Sequence, residues 1–138
     1  MNTKQLSTFP GSAGLWAPRW SEDNRVLIAF TVDSHKLLRF DFATAKWSEL
    51  TTGNELEYPN LSHDGKYVYF ENTEENGPEI DRVNIADHRR ERVVSLKDIP
   101  QVYVPDGQAW SSVDRTDAPI IMRNVGTQEI YALDLQLP

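Results

Sequence analysis

The stretch Pro18-Arg19-Trp20-Ser21-Glu22-Asp23-Asn24-Arg25-Val26-Leu27-Ile28-Ala29-Phe30 returns as Pro59-Asn60-Leu61-Ser62-His63-Asp64-Gly65-Lys66-Tyr67-Val68-Tyr69-Phe70. Trp20 of the first copy corresponds to Leu61 of the second. A weaker third copy opens at Gln108-Ala109-Trp110-Ser111-Ser112 and ends at Gln128-Glu129-Ile130-Tyr131-Ala132-Leu133-Asp134, with Trp110 at the corresponding place. Within each copy the apolar spacing has period two. Val26–Phe30 is a continuous β-rich run, as an inner strand buried on both faces requires. Asp64-Gly65 predicts a tight turn with glycine at positive φ. Asn24 holds the glycine's place in the first copy, and asparagine tolerates that backbone region.

The steps from Trp20 to Leu61 and from Leu61 to Trp110 define the period. A period of about 40 to 50 residues filled with short strands marks the blades of a β-propeller, each a four-stranded sheet. The expected fold is therefore all-β, with three four-stranded antiparallel blades per chain. Blade one reads as strands at Ala17–Trp20, Val26–Thr31, Leu37–Phe42 and Trp47–Leu50. Blade two reads as Tyr58–Leu61, Tyr67–Glu71, Glu79–Ile85 and Glu91–Leu96. Blade three is degenerate, with strands near Gln108–Ser111, Ile120–Arg123 and Glu129–Leu135, and Val113-Asp114-Arg115-Thr116-Asp117 where the Asp-Gly turn should stand. Trp20, Leu61 and Trp110 are expected in register and buried between blades. The whole chain 1–138 reads as one domain, with blades at 14–54, 55–100 and 101–138 after an N-terminal strand and connection at 1–13.

That N-terminal strand decides the expected assembly. Gln5-Leu6-Ser7-Thr8-Phe9 resembles Lys46-Trp47-Ser48-Glu49-Leu50, and Phe9 precedes Trp20 by the same interval that separates Leu50 from Leu61. It reads as the outer strand of a blade preceding blade one. Three blades cannot close a ring, and open blade faces drive association. The expectation is a homodimer of six blades formed by N-terminal strand exchange, each chain adding its strand to Glu129–Leu135 of the other. The competing reading is a piece of a longer propeller.

Composition narrows the job. Fourteen basic against 21 acidic residues give a net charge of −7, which repels phosphate backbones, so no nucleic-acid binding is expected of this chain. With no cysteine, disulfides, thiolate metal sites and a cysteine nucleophile are excluded. No apolar run reaches the ~20 residues of a helical membrane span, and Met1-Asn2-Thr3-Lys4-Gln5 does not open a signal peptide.

The pattern aromatic-Ser-x-Asp-Gly-[Lys/Arg]-aromatic-Val-x-Phe, best kept in Ser62–Phe70, followed by a Glu-Ile-Tyr-x-Leu-Asp strand, resembles the TolB-type propeller repeat, a relative of WD repeats. Gly14-Leu15-Trp16-Ala17-Pro18-Arg19-Trp20-Ser21, Tyr58-Pro59-Asn60 and Gly126–Asp134 further resemble the C-terminal propeller of bacterial membrane-linked transcriptional regulators with a winged-helix N-terminal domain. That resemblance implies a sensor domain in the periplasm. Without it, the cytoplasm is expected.

Chemical motifs are sparse. Gly11-Ser12-Ala13-Gly14 is a proline-led turn rather than a nucleophile elbow, and there is no phosphate-binding glycine loop. His35, His63 and His88 fall at non-equivalent loop positions, which argues against a shared metal site. Asp23 and Asp64 are equivalent, as turn geometry demands. His88-Arg89-Arg90-Glu91-Arg92 reads as a solvated hairpin or as a contact for an acidic partner. The candidate ligand site is a ring at the channel mouth: Trp16, Tyr58 and Trp110 as aromatics, Arg19 and Asn60 as polar groups. For all five aromatics near the first strands, Trp16, Trp20, Tyr58, Tyr103 and Trp110, the plainer reading is packing between blades.

The expected function is a non-catalytic binding module for a protein or small ligand, with no cofactor, catalytic residue or metal. The alternative is a propeller lyase or hydrolase, or the gating propeller of a peptidase, with its site in the channel.

Overall fold

The computed structural model describes residues 8–102 and 110–127. Every regular element among them is a β-strand. The first sheet is β1 (Leu15–Trp20), β2 (Leu27–Thr31), β3 (Lys36–Asp41) and β4 (Lys46–Thr52), antiparallel in chain order. The second is β5 (Leu56–Leu61), β6 (Tyr67–Glu74), β7 (Gly77–Asn84) and β8 (Arg90–Ser95), in the same order. A third, two-stranded sheet pairs β9 (Ser111–Val113) with β10 (Pro119–Ile121). The expected strand at Glu129–Leu135, Tyr103, and residues 5–7 of the N-terminal strand lie outside the described residues.

The internal repeat holds at the level of individual bonds. Trp20 pairs with Leu27, and Leu61 pairs with Val68. Ser21 Oγ accepts the Arg25 and Val26 N–H groups at 3.1 and 2.9 Å and donates to Asp23 at 2.6 Å. Ser62 does the same for Lys66, Tyr67 and Asp64, at 3.1, 2.9 and 2.8 Å. Asn24 and Gly65 adopt φ of 58° and 69° at the same place. β1 and β5 each carry a bulge, with Ala17 and Tyr58 at φ of 49° and 51°. Each bulge falls just before a proline, Pro18 or Pro59, which has no N–H to give the ladder.

The third sheet corrects the alignment. Asp114 there plays the serine's part, its Oδ1 accepting Thr116 N–H at 2.7 Å and Ala118 N–H at 3.0 Å. Asp117, at φ of 63°, holds the place of Asn24 and Gly65. Val113, not Trp110, is therefore the equivalent of Trp20 and Leu61. Gln101 bridges to Arg123 much as Leu15 pairs with Thr31. Yet the chain from Gln101 to Val113 is more than twice as long as that from Leu15 to Trp20. Within that longer chain, Trp110-Ser111 imitates Trp20-Ser21 without taking its place in the register.

Alternation along each strand sorts the side chains between neighbouring sheets. Ile28, Phe30, Leu37 and Leu50 of the first sheet bury against Leu56, Val68, Phe70, Val83 and Ile85 of the second. On the second sheet's other face, Tyr69, Ile80 and Leu96 bury with Val113 and Ile121 packed against them. Trp20 and Trp110 are not buried between sheets, being 45% and 41% exposed. Trp20 lies on the face of the first sheet that points away from the second, and Trp110 precedes β9 outside the register.

Candidate functional site

The turns joining the first two strands of each sheet meet around one cleft of about 450 Å³. Register explains the convergence. Arg19, Asn60 and Ser112 occupy the same position in β1, β5 and β9, one residue before Trp20, Leu61 and Val113. Equivalent positions in adjacent sheets stack side by side, so three different polar groups come together. Asn60 is held on both ends of its amide: Nδ2 donates to the Tyr58 carbonyl at 2.7 Å, and Oδ1 accepts the Ser112 hydroxyl at 3.2 Å. Arg19 is exposed, its Nη1 donating to the Pro18 carbonyl at 3.0 Å.

The apolar lining is Trp20, Leu61 and Val113, and the charged rim comes from the turns. His63 N–H donates to Asp117 Oδ1 at 2.8 Å, tying the second turn to the third. His63 Nδ1 lies 3.7 Å from Glu22, reaching back to the first. Arg115 adds a cation, and Asp114 an anion whose pKa is lowered by the Thr116 hydroxyl and two backbone N–H groups. The cleft thus offers arginine forks and an imidazole beside an apolar strip. Its volume falls within the range of small-ligand sites, about 300 to 1,000 Å³.

Of the residues singled out in the sequence, Arg19 and Asn60 line this cleft, while Trp16, Tyr58 and Trp110 do not. Trp16 packs on Phe30 with ring centroids 6.0 Å apart, and its indole N–H donates to the Thr31 carbonyl at 2.9 Å. Tyr58 is the positive-φ bulge residue whose carbonyl fixes Asn60. Trp110 accepts the Met122 N–H at its carbonyl, at 3.4 Å. His63, Asp117, Glu22 and Arg115 were legible only as turn residues. The signal that finds them is that all three turns share one end of the repeat.

The other two histidines and the basic hairpin do not line this cleft. His35 Nδ1 lies 3.1 Å from the Gly53 carbonyl, and His88 sits at φ of 60° in the β7–β8 turn, so the three histidines stay apart. Among the described residues no group of three or more metal-ligating side chains gathers. Arg90 of the basic hairpin turns inward. Its Nε donates to Asp81 at 2.8 Å and its Nη1 to the Thr52 carbonyl of the first sheet at 2.7 Å. Asp81 is 1% exposed and so requires that cation. Arg89 and Glu91 remain exposed, and the Arg92 side chain is 65% exposed.

No protein-family model matches the sequence, and no curated protein matches it. Solved structures do. TolB from Acinetobacter baumannii superposes at a TM-score of 0.54 and 24% identity, over 78% of this chain and 28% of that one. A prolyl endopeptidase gives 0.57 at 15% identity, over 79% and 18% of the two chains. The dihydro-heme d1 dehydrogenase NirN gives 0.54 at 17%, over 82% and 24%. This chain spans less than a third of each. At these identities the likeness is one of fold. The chain is a β-propeller module, and more particularly its fold is TolB-like. Among the described residues no helix is long and apolar enough to cross a membrane.

Proposed function

We propose that this propeller module binds a ligand in the cleft of the three turns, and that the ligand is a peptide segment or small acid pairing a carboxylate with an apolar group. The observation that carries this is the register-equivalent trio from three sheets: Arg19 and Asn60 line the cleft, and Ser112 holds Asn60 in place. Repeats that keep their turns alike in geometry have diverged at this position. Arg19 supplies a planar fork suited to a carboxylate. Trp20 and Val113 supply the apolar wall. Asn60, locked by Tyr58 and Ser112, is a rigid polar group at the centre. As a binding device it suits the sensor end of a larger regulator, the role that the sequence resemblance suggests.

The test is a thermal-shift screen of carboxylate-bearing peptides and metabolites, because a ligand of the native state raises its midpoint by mass action. Hits should lose most of their shift in Arg19→Ala and in Asn60→Ala. Hits that survive both substitutions would place binding elsewhere. Turnover of a hit compound, abolished by changing one cleft residue, would favour the enzymatic alternative.

A further inference from the structure

The first sheet presents an open aromatic face. Phe9 packs edge-on against Phe40, Phe42 and Trp20, with centroids 5.1, 6.2 and 5.8 Å away. Beside them a hollow of about 390 Å³ is lined by Leu27, Ala29 and Trp47. Trp20 and Phe42 remain 45% and 44% exposed. The same chain shows what covers such a face. In the second sheet the register equivalents of Trp20, Leu27, Ala29, Phe40 and Phe42 are Leu61, Val68, Phe70, Val83 and Ile85. Those five pack against Ile28, Phe30, Leu37 and Leu50 of the sheet before. Phe9 already stands where Leu50 stands, at the matching interval ahead of the equivalent strand end. Among the described residues no sheet supplies counterparts of Ile28 and Phe30 to this face.

The far end of the chain carries those counterparts. Val113 pairs with Pro119 as Leu61 pairs with Val68, and Ser112 pairs with Ile120 as Arg19 pairs with Ile28. Ile120 is therefore the equivalent of Ile28, and Met122 that of Phe30. They are 42% and 39% exposed, on the side of the third sheet that points away from the second. Among the described residues, one end of the row of sheets has an exposed aromatic socket, and the other has exposed residues of the kind that fill such a socket between the first two sheets.

We infer that the face around Phe42 and Trp20 is a docking surface for a second copy of this chain, which presents its Ile120–Met122 face head to tail. Two copies form two identical contacts and close on themselves. Two sets of three sheets make six, within the range of about four to eight known for propellers. The contact adjoins the cleft of the turns at Trp20, which borders both, while neither Phe42 nor Met122 lines the cleft.

The test uses sedimentation velocity of the full chain with Phe42→Asp and Met122→Asp, plus the milder Phe42→Ser and Met122→Ser. Far-UV circular dichroism confirms that each remains folded. The wild type should sediment at twice its 15.8 kDa mass. Either substitution should give a folded monomer with at least a tenfold weaker association. Mixing the Phe42 and Met122 variants should restore dimers, because one of the two contacts is then unmutated on both sides. A wild-type monomer at all concentrations would overturn the inference. So would a dimer indifferent to both positions, or variants that fail to rescue each other.

Discussion

Trp20 and Leu61 end equivalent strands and pair with equivalent partners, Leu27 and Val68, yet only Leu61 packs into a core between sheets. Trp20 rests on Phe42 at 5.5 Å with its outer face open. Position in the row of sheets, rather than residue type, decides which is covered. In the isolated chain Trp20→Ala should cost about 1 kcal/mol, well short of the ~3–5 kcal/mol expected for Phe30→Ala, because a half-exposed ring forfeits less transfer energy and leaves no closed cavity. Urea denaturation at low protein concentration checks the order. A larger loss at Trp20 than at Phe30 would show the face to be covered.

Arg90 and Asp81 take the register places that Trp47 and Leu38 hold in the first sheet. A buried ion pair thus replaces an apolar pair. Arg90→Ala leaves a carboxylate buried without its cation and should destabilise by about 3 kcal/mol. The double change Asp81→Leu with Arg90→Met, which restores the first sheet's chemistry, should come close to neutral. Equal losses in the single and double variants would contradict the assignment.

Glu71 stands at the place of Phe30, facing the third sheet, and is 6% exposed. Burial pushes its pKa above the ordinary 4.5, against a hydrogen bond from Gln101 Nε2 at 3.5 Å. Its Oε2 has no hydrogen-bond partner among the described residues. A carboxyl with a raised folded pKa favours the fold while protonated, and that contribution is lost as pH rises through the folded value. Glu71→Gln should therefore raise the melting midpoint at pH 7, with the gain vanishing below pH ~4. A variant no more stable than wild type at pH 7 would refute this.

The turn aspartates run the other way. Asp64 is lowered from 3.8 to about 2 by the Lys66 ammonium and N–H and by the Ser62 hydroxyl. Asp23 is lowered by the Ser21 hydroxyl and the Arg25 N–H. Depressed carboxylates stabilise the fold above their unfolded pKa, and that contribution fades as pH falls through the folded one. Stability should drop between about pH 4 and pH 2. Asp64→Asn should flatten part of that drop. An acid slope unchanged by Asp64→Asn would show that its turn bonds are not coupled to folding.

The two complete sheets were legible because Ser62-His63-Asp64-Gly65 and its earlier copy encode a turn by specific hydrogen bonds, and Val26–Phe30 and Tyr67–Phe70 encode buried inner strands. The register of the third sheet is not legible in the same way, because the chain between Gln101 and Val113 is longer than the repeat allows, and Trp110-Ser111 imitates the repeat without occupying its place. The cleft was half legible. Arg19 and Asn60 follow from strand position, but the approach of His63 to Asp117 is a contact distant in sequence that no local pattern announces. The sequence offers Arg90 only as part of a solvated hairpin or an acidic-partner contact, because the need of Asp81 for a cation follows from its burial.

Site-directed cross-linking tests most directly whether the bare face of the first sheet and the bare end of the third are two halves of one contact. The chain has no cysteine, so single variants Phe42→Cys and Met122→Cys carry one thiol each. A short bismaleimide should link them efficiently only when the two variants are mixed, giving a species of twice 15.8 kDa that contains one of each chain. Cross-linking as strong within either variant alone, or none in the mixture above that of an exposed control site, would contradict the head-to-tail contact.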